Sequence, residues 1–497
     1  MKRALISSYI AQTYVAVIGV VMTPVYLRYL GAESYGLVGF FTMMQAWLQL
    51  LDFGLTPTLS RQMACYKGGT LTLMELMGLM RTLEWLFGCA AALVTAAGVL
   101  AAPWLGAQWL RPEHLSSSEV ASCIGLMAAV AGLRWVSNIY RSALVGLERQ
   151  ILANGIASVM ASIKFLGVIP VLILVSPKPA VFFLYQVAAT ALEVLVFSIC
   201  TYRALPGGGA RARPSLAALR EILPLAGPLA FAALLWIVVT NLDKLLLSHL
   251  LSLEDYGFFS IACTVAGVIP LVVAPVSQVV QPRLTILHAQ GRRAEESELF
   301  REVSQFASCV VSAVAVNVAF FGEPLLLAWT GSAEVAAKAA PVLFWYALGN
   351  GLIGILTLLF LVQVAAGNLR LHVIGNLIFG AVQIPLMVYA ATVAGGTGTG
   401  MVWFYANLAF LLGWVPFVFR HFLRGLYFKW IALDVALPLL AAAVPAAMIV
   451  LLHGQWQSRP AIAVQLALTG AASVLCAFAA GSRTRARLRA TFAALGA

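Results

Sequence analysis

Arg134 and Arg141 stand seven residues apart in AAVAGLRWVSNIYRSALVG (128–146), a stretch otherwise apolar enough for lipid. Seven residues make two helical turns, so both guanidiniums leave one face of the helix, with Asn138 between them. Arginine's planar fork binds phosphate oxygens in pairs, so one chemistry open to this stripe is capture of an anionic headgroup. The other is plain anchoring at the cytoplasmic edge of a membrane, helped by the interfacial aromatics Trp135 and Tyr140. The residues alone leave both readings open.

Further charges sit inside apolar runs. Lys164 shares a helical face with Ala157, Ala161 and Val168. A cation at the bilayer centre costs roughly 2.5–3.5 kcal/mol, so an anionic partner is expected, from the protein or from a substrate. Arg81 and Glu84, three apart, read as a structural pair. Asp243 and Lys244 are adjacent and are not expected to face each other along a helix; snorkelling to the outer headgroups is the competing account of them.

Polar residues recur at helical spacing as well. Ser8, Gln12, Gly19 and Thr23 form one stripe, and Gln45, Gln49, Asp52 and Thr56 a second, spaced 4, 3 and 4. Gln186, Thr190 and Glu193 form a third, Ser260, Thr264, Gly267 and Gln278 a fourth, and His372, Asn376 and Gln383 a fifth. Interhelical hydrogen bonds explain any one of them. Five in one chain favour a shared wet cavity, with Gln12, Gln45 and Gln49 as lining candidates. Asp52, Asp243 and Glu193 are the candidates for a coupling-ion or gating carboxylate.

Only a membrane fold can position these groups. Of 497 residues 62% are hydrophobic and 10% charged, against about 25% charged in soluble domains. Fourteen apolar segments are each long enough to cross the hydrocarbon core: 5–27, 35–58, 77–102, 118–143, 150–175, 179–202, 221–249, 255–282, 301–327, 338–363, 371–393, 400–420, 432–452 and 460–481. The first has a basic start but too long an apolar run for a signal peptide, so it reads as a retained span. With the N-terminus in the cytoplasm, 22 of the 31 Lys and Arg fall in cytoplasmic connections, five outside and four within spans. That asymmetry places both termini inside. It also accounts for the net charge of +12 without nucleic acid, because anionic lipid headgroups suffice. The seven cysteines are scattered singly and imply neither disulfides nor a metal site.

The connection RALPGGGARARPSLAALRE (203–221) reads as a flexible linker, and LTILHAQGRRAEESELFRE (284–302) as a short surface helix. Glu33-Ser34-Tyr35-Gly36 echoes in Glu254-Asp255-Tyr256-Gly257, 221 residues later, after the first and seventh spans. The expected organisation is all-α and polytopic, with two pseudo-symmetric six-helix lobes. An N-terminal lobe would occupy 1–203, a cytoplasmic linker 204–220 and a C-terminal lobe 221–425. Helices thirteen and fourteen would fill 426–482, and a basic cytoplasmic tail 483–497. Two like-oriented six-helix halves are a transporter architecture, with the substrate path between them.

TPVYLRYLGAESYGLVGFFTMMQAWLQLLDFGLTPTLSRQ (23–62) resembles the N-terminal signature of bacterial polysaccharide flippases of the Wzx type: a Leu-Gly turn, Tyr-Gly opening the second span, and LDFGL followed by Arg61. NLDKLLLSHLLSLEDYGFFSIA (241–262) resembles the start of that family's second half, and FFGEPLLLAWTGSAEVAAKAAPVL (320–343) its outer segment between spans nine and ten. Asp52, Arg61, Asp243 and Lys244 lie inside these motifs. The resemblance implies two six-helix lobes around a central cavity. It also implies an undecaprenyl-pyrophosphate-linked oligosaccharide, such as an O-antigen repeat unit, moved from the inner to the outer leaflet of the bacterial inner membrane. It favours the headgroup reading of Arg134, Asn138 and Arg141, with Lys164 and Lys244 as further cations. The partners to expect are that lipid, the surrounding membrane lipids, and the polymerase and chain-length regulator of the same glycan pathway; no cofactor is implied.

Two other function classes compete with this one. A multidrug or cation antiporter of the same superfamily would use carboxylates within the spans, for which Asp52, Glu84, Glu193 and Asp243 are available; the four cations in the spans count against it. A membrane enzyme would need a catalytic outer loop, whereas the outer connections are short and His114, His249 and His453 are isolated. A phosphate-binding G-x-x-x-x-G-K-[ST] loop is missing, so direct ATP use is not expected.

Overall fold

A computed structural model of the chain describes residues 2–205, 234–451 and 458–485. Among these residues every named element is a helix, and one isolated bridge joins Arg111 and Ser252. Eleven of the described helices are long and apolar enough to cross a membrane. Helices are the expected solution there, because lipid offers the backbone no hydrogen bonds.

The first compact unit is Met1–Gly257. It holds α1 (Lys2–Leu48), α2 (Leu55–Lys67), α3 (Leu73–Trp104), α4 (Ser117–Gly146), α5 (Gln150–Leu166), α6 (Val168–Leu174) and α7 (Pro179–Ala204). A further helix, α8, spans 234–250, and the first turn of α9 (Leu253–Leu271) closes the unit. Its core joins α2, α3, α4, α5 and α7 through residues such as Leu59, Met63, Met80, Trp135, Met160 and Phe197.

The second compact unit is Phe258–Ala497. It holds the rest of α9, then α10 (Ala274–Ala289), α11 (Arg293–Phe320), α12 (Gly322–Thr330), α13 (Ala333–Ala365) and α14 (Arg370–Ala409). These are followed by α15 (Val415–Phe422), α16 (Tyr427–Lys429), α17 (Leu437–Leu451) and α18 (Arg459–Ala480). Arg301 of α11 forms a bidentate ion pair with Asp434, at 2.6 and 3.1 Å. Gln305 donates to Asp434 and accepts from the backbone of Arg483 and Thr484, which ties the C-terminal helices to α11.

All fourteen expected segments fall on helices where they are described, and the all-α polytopic fold is as expected. The long α1 contains the first and most of the second, bent at Gly31, and α14 with its continuation contains the eleventh and twelfth, bent at Ala394 and Gly395. Residues 221–233 of the seventh segment, most of the Gly/Pro/Arg-rich connection, His453 and the tail beyond Arg485 lie outside the described residues.

Five expectations need correction. The eighth segment is interrupted at Val272 and Val273, between α9 and α10. The second segment is not continuous to Thr58: Phe53 and Gly54 are both left-handed, at φ 47° and 72°, and α2 begins anew at Leu55. Thr56 therefore leaves the stripe of Gln45, Gln49 and Asp52. The fifth segment is interrupted at Gly167, between α5 and α6. The ninth begins earlier, at Arg293, and is interrupted at Phe321. The surface helix over 284–302 is instead a tight turn at Gly291, φ 71°, between two long helices. Glu295 and Glu296 in the first turn of α11 complement the helix dipole there.

Candidate functional site

α4 packs against α3 on one side and α7 on another. Small residues permit the first contact: a Cβ on Gly132 would lie 3.0 Å from the Ala91 carbonyl oxygen. From Cys123 to Gly146, only Arg134 and Arg141 are exposed. Asn138 between them is partly exposed. Neither arginine forms an ion pair or hydrogen bond with any described residue.

Charges on neighbouring helices act on the stripe. Arg134 feels Glu193 of α7 and Arg141; Lys164 of α5 feels Glu193 and Arg134. Lys164 and Glu193 form an ion pair whose side chains are only 9% and 17% exposed. The anionic partner expected for Lys164 is thus supplied by the protein. Arg134 lies within electrostatic reach of this pair, which α5 and α7 hold beside α4. The group holds three cations and one carboxylate.

Lys164 sits where α5 breaks. Gly167 ends the helix, and Pro170 in α6 offers no N–H to the preceding turn. Three successive carbonyls just before the break take side-chain donors, that of Ile163 in addition to the Gly167 N–H (3.0 Å). Tyr185 donates to Ile163 O (2.7 Å), Gln186 Nε2 to Lys164 O (3.1 Å) and Tyr26 to Phe165 O (2.7 Å). A discontinuous helix with capped carbonyls is how transporters build polar sites within lipid. Gln186 and Glu193 of the third polar stripe both engage Lys164. Thr190 between them is fully buried, and its hydroxyl has no partner among the described residues.

The remaining candidates stand apart from this group. Gln12 and Gln49 are exposed and Gln45 partly so, and none of the three makes a hydrogen bond to a described residue. Asp52 accepts from the Thr56 hydroxyl, across the break at which α2 begins anew. On α8, Lys244 donates to Thr240 O (2.9 Å) and Asn241 Oδ1 (3.1 Å). It also lies 4.0 Å from buried Asp243, so these adjacent side chains do approach each other, contrary to expectation; the flexible lysine stem curls back along its own helix. Arg81 pairs with Glu84 at 3.0 Å as expected, and Tyr202 joins them, donating to Glu84 beneath the guanidinium.

Two histidines that look isolated in sequence have neighbours in space. His249 Nδ1 lies 3.3 Å from Trp109 O. His114 lies beside Glu113 and Glu254, their ligand atoms within 4.8 Å of one another. Sequence reasoning also missed Tyr26, Tyr185 and Asp434. Gly167 and Pro170, close together in an apolar run, were the available signal for the first two.

The family model for polysaccharide biosynthesis proteins matches residues 1–288. The chain belongs to that family. No curated protein matches it. Among solved structures, this polysaccharide biosynthesis protein is similar to the lipid II flippase MurJ in an inward closed conformation. The TM-score is 0.71 at 14% identity, over 94% of this chain and 97% of that one. It is also similar to an inward-facing multidrug resistance MATE transporter, with TM-score 0.64, 14% identity and 82% and 95% coverage. A MOP superfamily transporter from Pyrococcus furiosus gives 0.55, 14%, 84% and 96%. Identities this low establish the fold alone, which is that of membrane transporters and flippases. With its apolar helices, the polysaccharide biosynthesis protein is a multi-pass membrane protein.

Proposed function

We propose that the protein flips an undecaprenyl-pyrophosphate-linked oligosaccharide, an O-antigen or similar surface glycan unit, from the inner to the outer leaflet of the bacterial cytoplasmic membrane. The observation that carries this reading is the α4 stripe: two arginines without partners among the described residues, the sole exposed residues between Cys123 and Gly146, with Arg134 in electrostatic reach of Glu193. Unpaired cations in a low-dielectric site are costly unless an anion completes them. A pyrophosphate suits two guanidinium forks, and Asn138 between them adds a neutral donor. The accessible amides of Gln12, Gln45 and Gln49 suit sugar hydroxyls.

The cycle is alternating access, without catalysis and without a cofactor. The lobes are 1–203 and 221–425, joined by 204–220; 426–482 is an added helix pair and 483–497 a basic tail, with both termini cytoplasmic. Antiport of cationic drugs is the weaker account, because Glu193 is engaged by Lys164 and Glu84 by Arg81 and Tyr202.

The test is made in cells lacking this gene, by asking whether the lipid-linked repeat unit is accessible to a glycan-cleaving enzyme added outside. Accumulation in the inner leaflet, reversed by the wild-type chain, is expected. Normal outer exposure in the deletion would refute the proposal.

A further inference from the structure

The Lys164–Glu193 pair is an odd feature for a site that binds anions, because it neutralises one of three cations. Glu193 is ion-paired with Lys164 and within electrostatic reach of Arg134, so it already occupies the place an incoming phosphate would take. It is held lightly there. One oxygen meets Lys164 Nζ, while the other, Oε1, takes no hydrogen bond from any described residue. A carboxylate can accept about four hydrogen bonds, so most of its capacity is unused. One turn back on α7, the buried Thr190 hydroxyl is likewise unused.

Resting on the pyrophosphate reading above, we infer that Glu193 is a built-in stand-in for the substrate's phosphate: it holds Lys164 when the site is empty and yields it when the anion arrives. Lys164 is then the third cation on the substrate, and Glu193 is the group that ejects it. The exchange follows from charge. A pyrophosphate carries at least two negative charges and several acceptor oxygens, so it outcompetes a single carboxylate for a buried ammonium. Once the site opens to the other leaflet, the tethered carboxylate reclaims Lys164 and repels the anion. Three unopposed cations would bind pyrophosphate too tightly for turnover; a competing carboxylate keeps binding reversible. Gln186 holds the Lys164 carbonyl at 3.1 Å through a bond that does not involve Glu193, so the lysine can exchange partners without moving its backbone.

The test titrates farnesyl pyrophosphate into the full-length protein in lipid nanodiscs. Wild type should bind, and the Arg134→Ala/Arg141→Ala variant should lose binding, which checks the underlying reading by itself. Glu193→Gln should bind about tenfold tighter or more and release more slowly, whereas Glu193→Asp should stay close to wild type. A gain of affinity is not an effect that a folding defect produces. Should Glu193→Gln fail to fold with an unpaired buried lysine, infrared difference spectra of the wild-type protein give a second readout. The carboxylate band of Glu193, assigned through Glu193→Asp, should shift when farnesyl pyrophosphate is added. Unchanged or weaker binding by Glu193→Gln, or an unperturbed band, overturns the inference and leaves the arginine site standing if the double variant has lost binding. No binding by wild type removes both.

Discussion

Gly36 and Gly257, the corresponding glycines of the repeated Tyr-Gly motif, meet where their helices cross. A Cβ on Gly257 would lie 3.2 Å from both the Gly36 nitrogen and the Ala32 carbonyl carbon. A Cβ on Gly36 would lie 3.2 Å from the carbonyl carbon of Leu253. Leu253 is the residue 221 positions after Ala32, so the contact is reciprocal: each glycine faces the backbone one turn before the other. The short sequence echo thus marks a local two-fold relationship between the copies, built on residues that cannot be larger.

Gly257→Ala and Gly36→Ala should each destabilise the protein by about 1–3 kcal/mol, since the obstacle is backbone and cannot rotate away. Gly155→Ala, where nothing lies within 4 Å, is the control and should be neutral or stabilising by up to about 1 kcal/mol. Thermal unfolding midpoints in one detergent compare the three. Equal midpoints for all would show that the crossing is looser than described.

The motif's acidic residues have diverged in use. Glu33 is buried and accepts from the backbone of Glu113 (2.6 Å), His114 (3.1 Å) and Leu115 (3.1 Å), which fixes the connection into α4. Glu254, its counterpart, is partly exposed. Glu33→Ala leaves three donors unpaired, at about 1–3 kcal/mol for a buried group. Hydrogen exchange over 113–115 should speed up by about tenfold or more. Glu254→Ala should leave it unchanged, and similar effects from both would contradict this asymmetry.

The Arg301–Asp434 pair predicts a sign reversal between single and double variants. Asp434→Asn leaves a buried guanidinium without its counter-charge and should cost about 3–5 kcal/mol. Arg301→Met together with Asp434→Leu removes both charges and should recover most of that loss. Unfolding midpoints decide, and a double variant as weak as the single would mean that the pair itself, not its desolvation, holds α11 to the C-terminal helices.

How far the sequence could be read depended on the range of the interaction. Each apolar segment is visible because crossing lipid takes about 20 apolar residues in a row. The Arg134/Arg141 stripe is visible because helical periodicity is local. Breaks within segments were not: Phe53 is a poor omen for a left-handed turn, and Gly167 in an apolar run is compatible with unbroken helix. Partners across the fold were out of reach as well. The need of Lys164 for an anion followed from solvation, but Glu193 lies 29 residues on, in another helix. Arg301 and Asp434 are 133 residues apart, and Asp434 had no local pattern to set it apart.

The proposal that Arg134 and Arg141 receive the lipid's pyrophosphate can be tested by reconstitution. Proteoliposomes carrying a fluorescent undecaprenyl-pyrophosphate oligosaccharide are assayed for its transfer between leaflets, with wild type and with Arg134→Ala/Arg141→Ala. Transfer by wild type is expected, with a loss of about 10²-fold or more in the double variant, since each charge-assisted hydrogen bond contributes about 1.5–3 kcal/mol. Full transfer by the double variant, correctly folded and inserted, would contradict it.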